Sequence, residues 1–366
     1  MIEAIKPKSF PWFDYSRYTF SLGLRRGDAL WLSGHSASEY DPAERHIVVN
    51  GGMEAQTRTA YAKIAAILDG AGKTLSDVTR IVEYVTAEGI DDYAAAAGVR
   101  DQLFGGVAVC TVVVNRLLRP QALIEIEVTS SPSRGDGVVY LPSLIAPDAG
   151  DDLESQTRAC FERESALLEG AGLSPSAICK TVDYTTPATL GDYKRTGSIR
   201  RQFLGPVYPA AAGILLSRLQ HDRALVSLDV IASRHPLEAV DPGWERYNKL
   251  TYSPAVKAGD MLFMSGQAAL DPATERALFP GDVIAQAEYT YANIIEVLKA
   301  AGAGPENLVK TIEYVTPGGL ADYRDVARVR DKLLVEPYPA STGAVCEALL
   351  RPEFLIEIDP LAVLTV

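Results

Sequence analysis

Three short strands near the ends of three similar segments carry carboxylates, the groups in this chain best suited to moving protons. They read ALIEIEV at 122–128, ALVSLDV at 224–230 and FLIEIDP at 354–360. Apolar and polar residues alternate, so Glu125 and Glu127, Asp229, and Glu357 and Asp359 share one face of their strands. A carboxylate enclosed by apolar surface has its charged form disfavoured, and its pKa rises toward neutrality. There it can give or take a proton near neutral pH. Glu127, Asp229 and Asp359 are the catalytic candidates at matching positions, with Glu357 beside them. The competing interpretation for each is an ordinary salt-bridged strand carboxylate.

Other reactive side chains give weaker signals. His35 follows Ser33-Gly34 at a strand end, whereas His46, His221 and His235 read as loop residues. No H-x-x-x-H pair, His/Cys cluster or carboxylate cage occurs, so neither a metal nor a cofactor is expected. Cys110 and Cys346 lie in apolar strands without a base or cation nearby in sequence, which favours inert buried thiols. No G-x-G-x-x-G or phosphate loop is present, which removes the main nucleotide-binding signals.

The elements that hold these residues come from a repeat. Gln56, Gly72, Tyr84, Asp92, Tyr93 and Arg100 recur 100 residues later as Gln156, Gly172, Tyr184, Asp192, Tyr193 and Arg200. A further 130 residues on, they are Gln286, Gly302, Tyr314, Asp322, Tyr323 and Arg330. A period this long is a domain rather than a solenoid unit. Three copies are expected, at 1–130, 137–233 and 243–366. The second is shortened at its N-terminus and follows the turn-rich linker SSPSRGDG (130–137). In the third copy, apolar residues at Ile284, Tyr291, Ile294, Ile295 and Leu298 predict a helix over 283–301, closed by Gly302. Asp322 is the expected cap of a second helix running to about Leu334. The predicted order is β-β-β-α-β-α-β-β. The repeated tyrosines are expected in core packing and the repeated arginines in structural ion pairs.

Composition bounds the function. The chain has 366 residues, 47% of them hydrophobic, and a formal net charge of −12. That charge opposes binding to nucleic acid or to an anionic membrane. No apolar run approaches the roughly 20 residues of a membrane span. The first thirteen residues lack the apolar stretch of a signal peptide, and the four cysteines are scattered, which suits a reducing cytoplasm.

The segments YSPAVKAGDMLFMSGQ (252–267), AAG (300–302), VKTIEYVTP (309–317), LADY (320–323), YPAST (338–342) and LIEI (355–358), with Gln286, resemble the RidA/YjgF/UK114 family. The likeness covers nearly all of the third copy, most of the first and the later two-thirds of the second. It implies an α+β, chorismate mutase-like fold, a mixed six-stranded sheet with two helices on one face. Family members are usually homotrimers around a central barrel, with sites in the clefts between subunits. Here three tandem copies are expected to form that pseudo-trimeric barrel within one chain, as a monomer or a higher assembly of pseudo-trimers.

The resemblance further implies hydrolysis of imines or enamines to a keto acid and ammonia. The family's carboxylate-binding arginine, after Pro-Ala in the penultimate strand, is replaced by Ser341, by Ala211, and by Val109 or Cys110. The substrate-binding positions implied are Tyr252, Ser265 and Gln267 in the third copy and Tyr18, Ser33 and His35 in the first, with Ser341 and Cys110 on the facing strands. Glu127, Asp229 and Asp359 match the late acid that holds the attacking water. The expectation is an enzyme acting on a small imine, enamine or related intermediate. The alternatives are a silent small-molecule or partner-binding module, and a chorismatase-like hydrolase using Glu357.

Overall fold

The computed structural model describes residues 1–130 and 137–364, so most of the linker expected at 130–137 lies outside the described residues. Each of the three segments places two helices beside a mixed sheet. In the first segment the helices are α1 (Met53–Gly70) and α2 (Tyr93–Leu103). In the second they are α3 (Leu153–Gly170) and α4 (Thr196–Phe203), and in the third α5 (Val283–Ala300) and α6 (Val326–Leu333). The long helices stop because the next turn needs a left-handed residue: Gly72, Gly172 and Gly302 have φ of 73°, 72° and 72°. Asp322 precedes a 3₁₀ turn, Tyr323–Asp325, and its side chain makes no capping bond.

Three strands recur in every segment. A middle strand (Arg80–Thr86, Ile178–Thr185, Leu308–Val315) lies parallel to a penultimate strand (Ala108–Val114, Ala210–Leu215, Ala340–Val345). On its other side it pairs antiparallel with a last strand (Ile124–Ser130, Val226–Ser233, Ile356–Val363). The sheets hold seven, six and seven strands, because the second and third each borrow a short strand from a neighbouring segment.

Each segment has a core of its own between sheet and helices. A further core draws on all three, including Tyr84, Val112, Tyr184, Ile214, Tyr314 and Ala344. The opposite sheet faces therefore meet around a common axis, where the Tyr184 and Tyr314 hydroxyls lie 2.9 Å apart. The closed barrel expected from the sequence is not seen. Ladders join Ile214–Leu215 to Ala348–Leu349 and Ala344–Val345 to Arg116–Leu117. Between the first and second segments no ladder forms among the described residues. There the Ser217 amide bonds to the Asn115 side-chain oxygen, at 3.2 Å, rather than to a backbone carbonyl.

The repeated polar residues are structural. The Gln56, Gln156 and Gln286 amides strap their helices to the hairpin before the last strand, accepting from Leu123, Leu225 and Leu355 N–H at 2.8, 2.8 and 2.7 Å. Buried Glu83 accepts from Tyr61, Tyr93 and Arg100, and Glu313 accepts from Tyr291, Tyr323 and Arg330. Asp183 takes the same place in the second segment, with Tyr193 and Arg200.

Candidate functional site

The late acids point at the common axis, not into the clefts between segments. Asp229 pairs with Arg80 at 2.6 Å, Glu127 with Lys310 at 2.6 Å, and Asp359 with Lys180. Each pair joins two different segments. The cations sit at the repeat offsets of 100 and 130, a match between Arg and Lys that identity alone hides. Lys310 also donates to Leu32 O at 2.7 Å and Lys180 to Met264 O at 2.6 Å. Together the three pairs surround a small axial cavity of about 80 Å³. A buried carboxylate matched by a buried cation is committed to that pair, because losing either partner strands the other. This corrects the expectation that Glu127, Asp229 and Asp359 line a cleft.

The serines of the Ser-Gly motif are also committed. Ser265 Oγ donates to Ser253 O at 2.6 Å and accepts from Ala211 N at 2.8 Å. Ser33 Oγ donates to Ser21 O at 2.6 Å and accepts from Ser341 N at 2.8 Å. Both residues are fully buried and clip one segment to the next, so they are not free to bind a substrate. The adjacent glycines are needed because a Cβ on Gly34 or Gly266 would overlap the carboxylate of Glu125 or Glu357.

That contact locates the candidate site. A cavity of about 460 Å³ lies between the second and third segments, within the range of small-molecule sites. Its walls are α4 with Ala211–Gly213 on one side, and Arg246–Tyr252, Gly266–Ala268 and Arg351 on the other. Tyr252, Gln267 and Glu357 all line it. Glu357 is the one carboxylate in the lining and forms no salt bridge among the described residues. Burial, and then the charge of Asp359, push its pKa up to about 8. A group so placed exchanges a proton near neutrality.

The other two junctions differ. Between the first and third segments Glu125 holds the place of Glu357, and burial with Glu127 lifts it to about 7. His35 replaces Gln267; it is buried with Nε2 unpartnered, and burial and Lys63 depress its pKa to about 3. Tyr18 is partly exposed and packs edge-on against Phe13. Lys63 is buried beneath the Trp12 and Phe13 rings and donates to Ser36 O at 2.7 Å. Between the first and second segments Ser227 takes the place of Glu357, and the Gln220 amide fills the gap by donating to Ser227 Oγ at 3.3 Å and to Thr111 O.

Strand register decides which residue of the first segment stands where the arginine was expected. Ile81 pairs with Val109 as Thr181 pairs with Ala211 and Thr311 with Ser341, so Val109 is the counterpart. Cys110 is one residue further on and fully buried, burial raises its thiol pKa well above the usual value, and it lines neither of the two cavities described. Among the described residues no group of three or more His, Cys, Asp or Glu is placed to hold a metal ion. No helix there is long and apolar enough to cross a membrane.

Comparisons with known proteins agree with this architecture. The sequence model of the Endoribonuclease L-PSP family matches residues 15–131 and 247–364, leaving the intervening segment unmatched. A RutC family protein of Sinorhizobium fredii is 36% identical over 114 residues, 31% of this chain and 87% of its own. The mouse 2-iminobutanoate/2-iminopropanoate deaminase is 34% identical over 112 residues, 31% of this chain and 80% of its own. A chorismatase crystal structure superposes with a TM-score of 0.54 over 79% of this chain and 94% of that one, at 17% identity, a likeness of fold.

Proposed function

Because the chain belongs to the Endoribonuclease L-PSP (RidA/YjgF/UK114) family, we propose that it is an enzyme acting on a small imine, enamine or related intermediate, with Glu357 as its proton-transfer group. The observation that carries this is the unpaired, buried Glu357 carboxylate in the cavity between the second and third segments. Ionised Glu357 takes a proton from water as the oxygen adds to the imine carbon. The protonated carboxyl gives that proton to nitrogen, forming the carbinolamine; the carboxylate then takes the carbinol hydroxyl proton and passes it to nitrogen as the C–N bond breaks, leaving a carbonyl compound and ammonia or an amine. Tyr252 and Gln267 orient the substrate. We further propose three tandem copies, 1–130, 137–233 and 243–366, arranged as a pseudo-trimer within one chain. The shared core and the three inter-segment ion pairs support this arrangement.

The test is Glu357→Gln, with imines generated by an amino-acid oxidase and their decay followed directly. Removing a general base is expected to slow turnover by roughly 10²–10⁴-fold with folding unchanged. Wild-type turnover should rise with pH toward a plateau above about 8, where the carboxyl is ionised. Full turnover in the variant refutes the assignment. If the wild-type chain also turns over no imine or enamine, the silent binding module is the better reading. A second enzymatic reading, a chorismatase-like hydrolase, is favoured by the same residue, since the late glutamate it requires is the carboxylate lining the cavity. Chorismate consumption distinguishes the two.

A further inference from the structure

The cavity that holds Glu357 is cationic in a chain whose net charge is −12. Lys194 and Arg201 line it from the second segment; Arg246, Lys249 and Arg351 line it from the third. Lys194, Arg201, Arg246 and Lys249 have no acidic partner among the described residues. Arg246 lies over the Tyr247 ring at 4.8 Å, and its Nε is buried without a hydrogen bond. Arg351 donates only to a backbone carbonyl, Glu275 O, at 2.7 Å. Glu357 adds little compensating charge at pH 7, because its pKa is about 8.

The fold itself does not demand these cations. The junction between the first and third segments has the same scaffold, and its residues correspond one to one. There Asp14 stands for Arg246, Arg17 for Lys249, Arg324 for Lys194, Asp331 for Arg201 and Arg119 for Arg351. Acids and bases are mixed in that set, and Arg17 pairs with Asp14 at 3.2 Å. One junction carries three cations and two acids; the other gathers five cations on two facing walls, an arrangement that favours an anion between them.

We propose that the ligand of this cavity carries two separated anionic groups, one met by Lys194 and Arg201 and the other by Arg246 and Lys249. Carboxylate or phosphate satisfies either position, and the frame between them lies against Tyr252 and Phe354. The inference rests on the reading of this cavity as the functional site. It adds the substrate class, a dianion, in place of the monoanion that a single strand arginine would hold.

Calorimetric titration of the full-length chain tests it, with three probes: isophthalate, which has two separated carboxylates; benzoate, which has one; and phenyl phosphate, whose charges share one group. Isophthalate is expected to bind at least about tenfold more tightly than benzoate or phenyl phosphate, and to weaken as salt is raised. Arg201→Ser and Lys249→Ser, both exposed, should each weaken isophthalate about five- to tenfold and change benzoate by less than twofold. Equal affinity for the three probes overturns the proposal. So does isophthalate binding that ignores both substitutions, or no binding of any probe. Glu357→Gln should keep isophthalate binding while losing turnover, so failure of the dianion proposal and failure of the Glu357 mechanism are read separately.

Discussion

Replacing Glu164 with isoleucine should stabilise the protein by about 3 kcal/mol at pH 7. Glu164 lies on the buried face of α3 at 0% exposure, and neither carboxylate oxygen has a hydrogen-bond partner. Its counterparts, Ile64 and Ile294, are core residues of the other two segments. Burial, with Asp229 adding repulsion, pushes the Glu164 pKa from 4.5 up to about 9. The folded state then keeps a proton that the unfolded state releases above pH 4.5. With a folded pKa above the unfolded one, the contribution to stability is complete below 4.5 and is lost as pH rises toward 9. At about 1.36 kcal/mol per pH unit, the loss by pH 7 is about 3 kcal/mol. Unmet hydrogen bonds of the neutral acid add roughly 1–3 kcal/mol, and imperfect fit of the isoleucine offsets a similar amount. For 366 residues at ~2.1 cal/mol/K each, 3 kcal/mol corresponds to about 4 °C in Tm. Urea unfolding of both proteins from pH 5 to 8.5 is the assay. The stability gap should widen by about 1.4 kcal/mol per pH unit. A gap that stays flat with pH, or a less stable variant, would show that Glu164 is not a buried, unpartnered acid.

Three other outcomes follow from the same geometry. Asp359→Asn strands Lys180 at the axis and should cost about 3–5 kcal/mol of stability, measured by denaturant unfolding; an unchanged midpoint would show that the Asp359–Lys180 pair does not hold the two segments together. Ser265→Ala leaves Ala211 N–H and Ser253 C=O unmatched between two segments, and should cost about 1–3 kcal/mol with faster amide exchange at Ala211. With Ser341, Ala211 and Val109 at the arginine position, simple 2-imino acids should decay more slowly with this chain than with an arginine-bearing relative in the oxidase-coupled assay. Equal rates would show that this guanidinium is unnecessary here.

What the sequence made legible is what repeats. Gln56, Gly72, Tyr93 and Arg100 and their counterparts mark helix straps, helix ends and buried networks, and the constant offsets expose them. The 3.6-residue period located α5 to within one residue. The period-two pattern of the last strand put Glu357 and Asp359 on one face, yet it could not divide that face. The division depends on the neighbouring sheets: at 359 the strand meets Lys180 at the axis, and two residues earlier it opens into the cavity. Arg80, Lys180 and Lys310 lay at the repeat offsets all along, hidden by the change from arginine to lysine. The cavity cations were hidden for the opposite reason. They come from two 3₁₀ turns, from α4 and from a loop, and only at Arg201 and Arg246 does the other junction place an acid.

That contrast separates scaffold from site. Residues alike in all three segments are spent on joining strands, capping helices and crossing the axis, tasks each segment must perform. The proposed chemistry falls to positions at which segments of one chain are free to differ. The three junctions are accordingly unequal. One is filled by Gln220 against Ser227, and one pairs Glu125 with a rim of mixed charge and an aromatic cover over Lys63. The third leaves Glu357 unpaired in a cavity large enough for a small molecule and lined by uncompensated cations. A homotrimer would have to repeat any such surplus three times around its axis, with the repulsion multiplied accordingly. A single chain concentrates it in one cleft and balances the axis with three complete ion pairs.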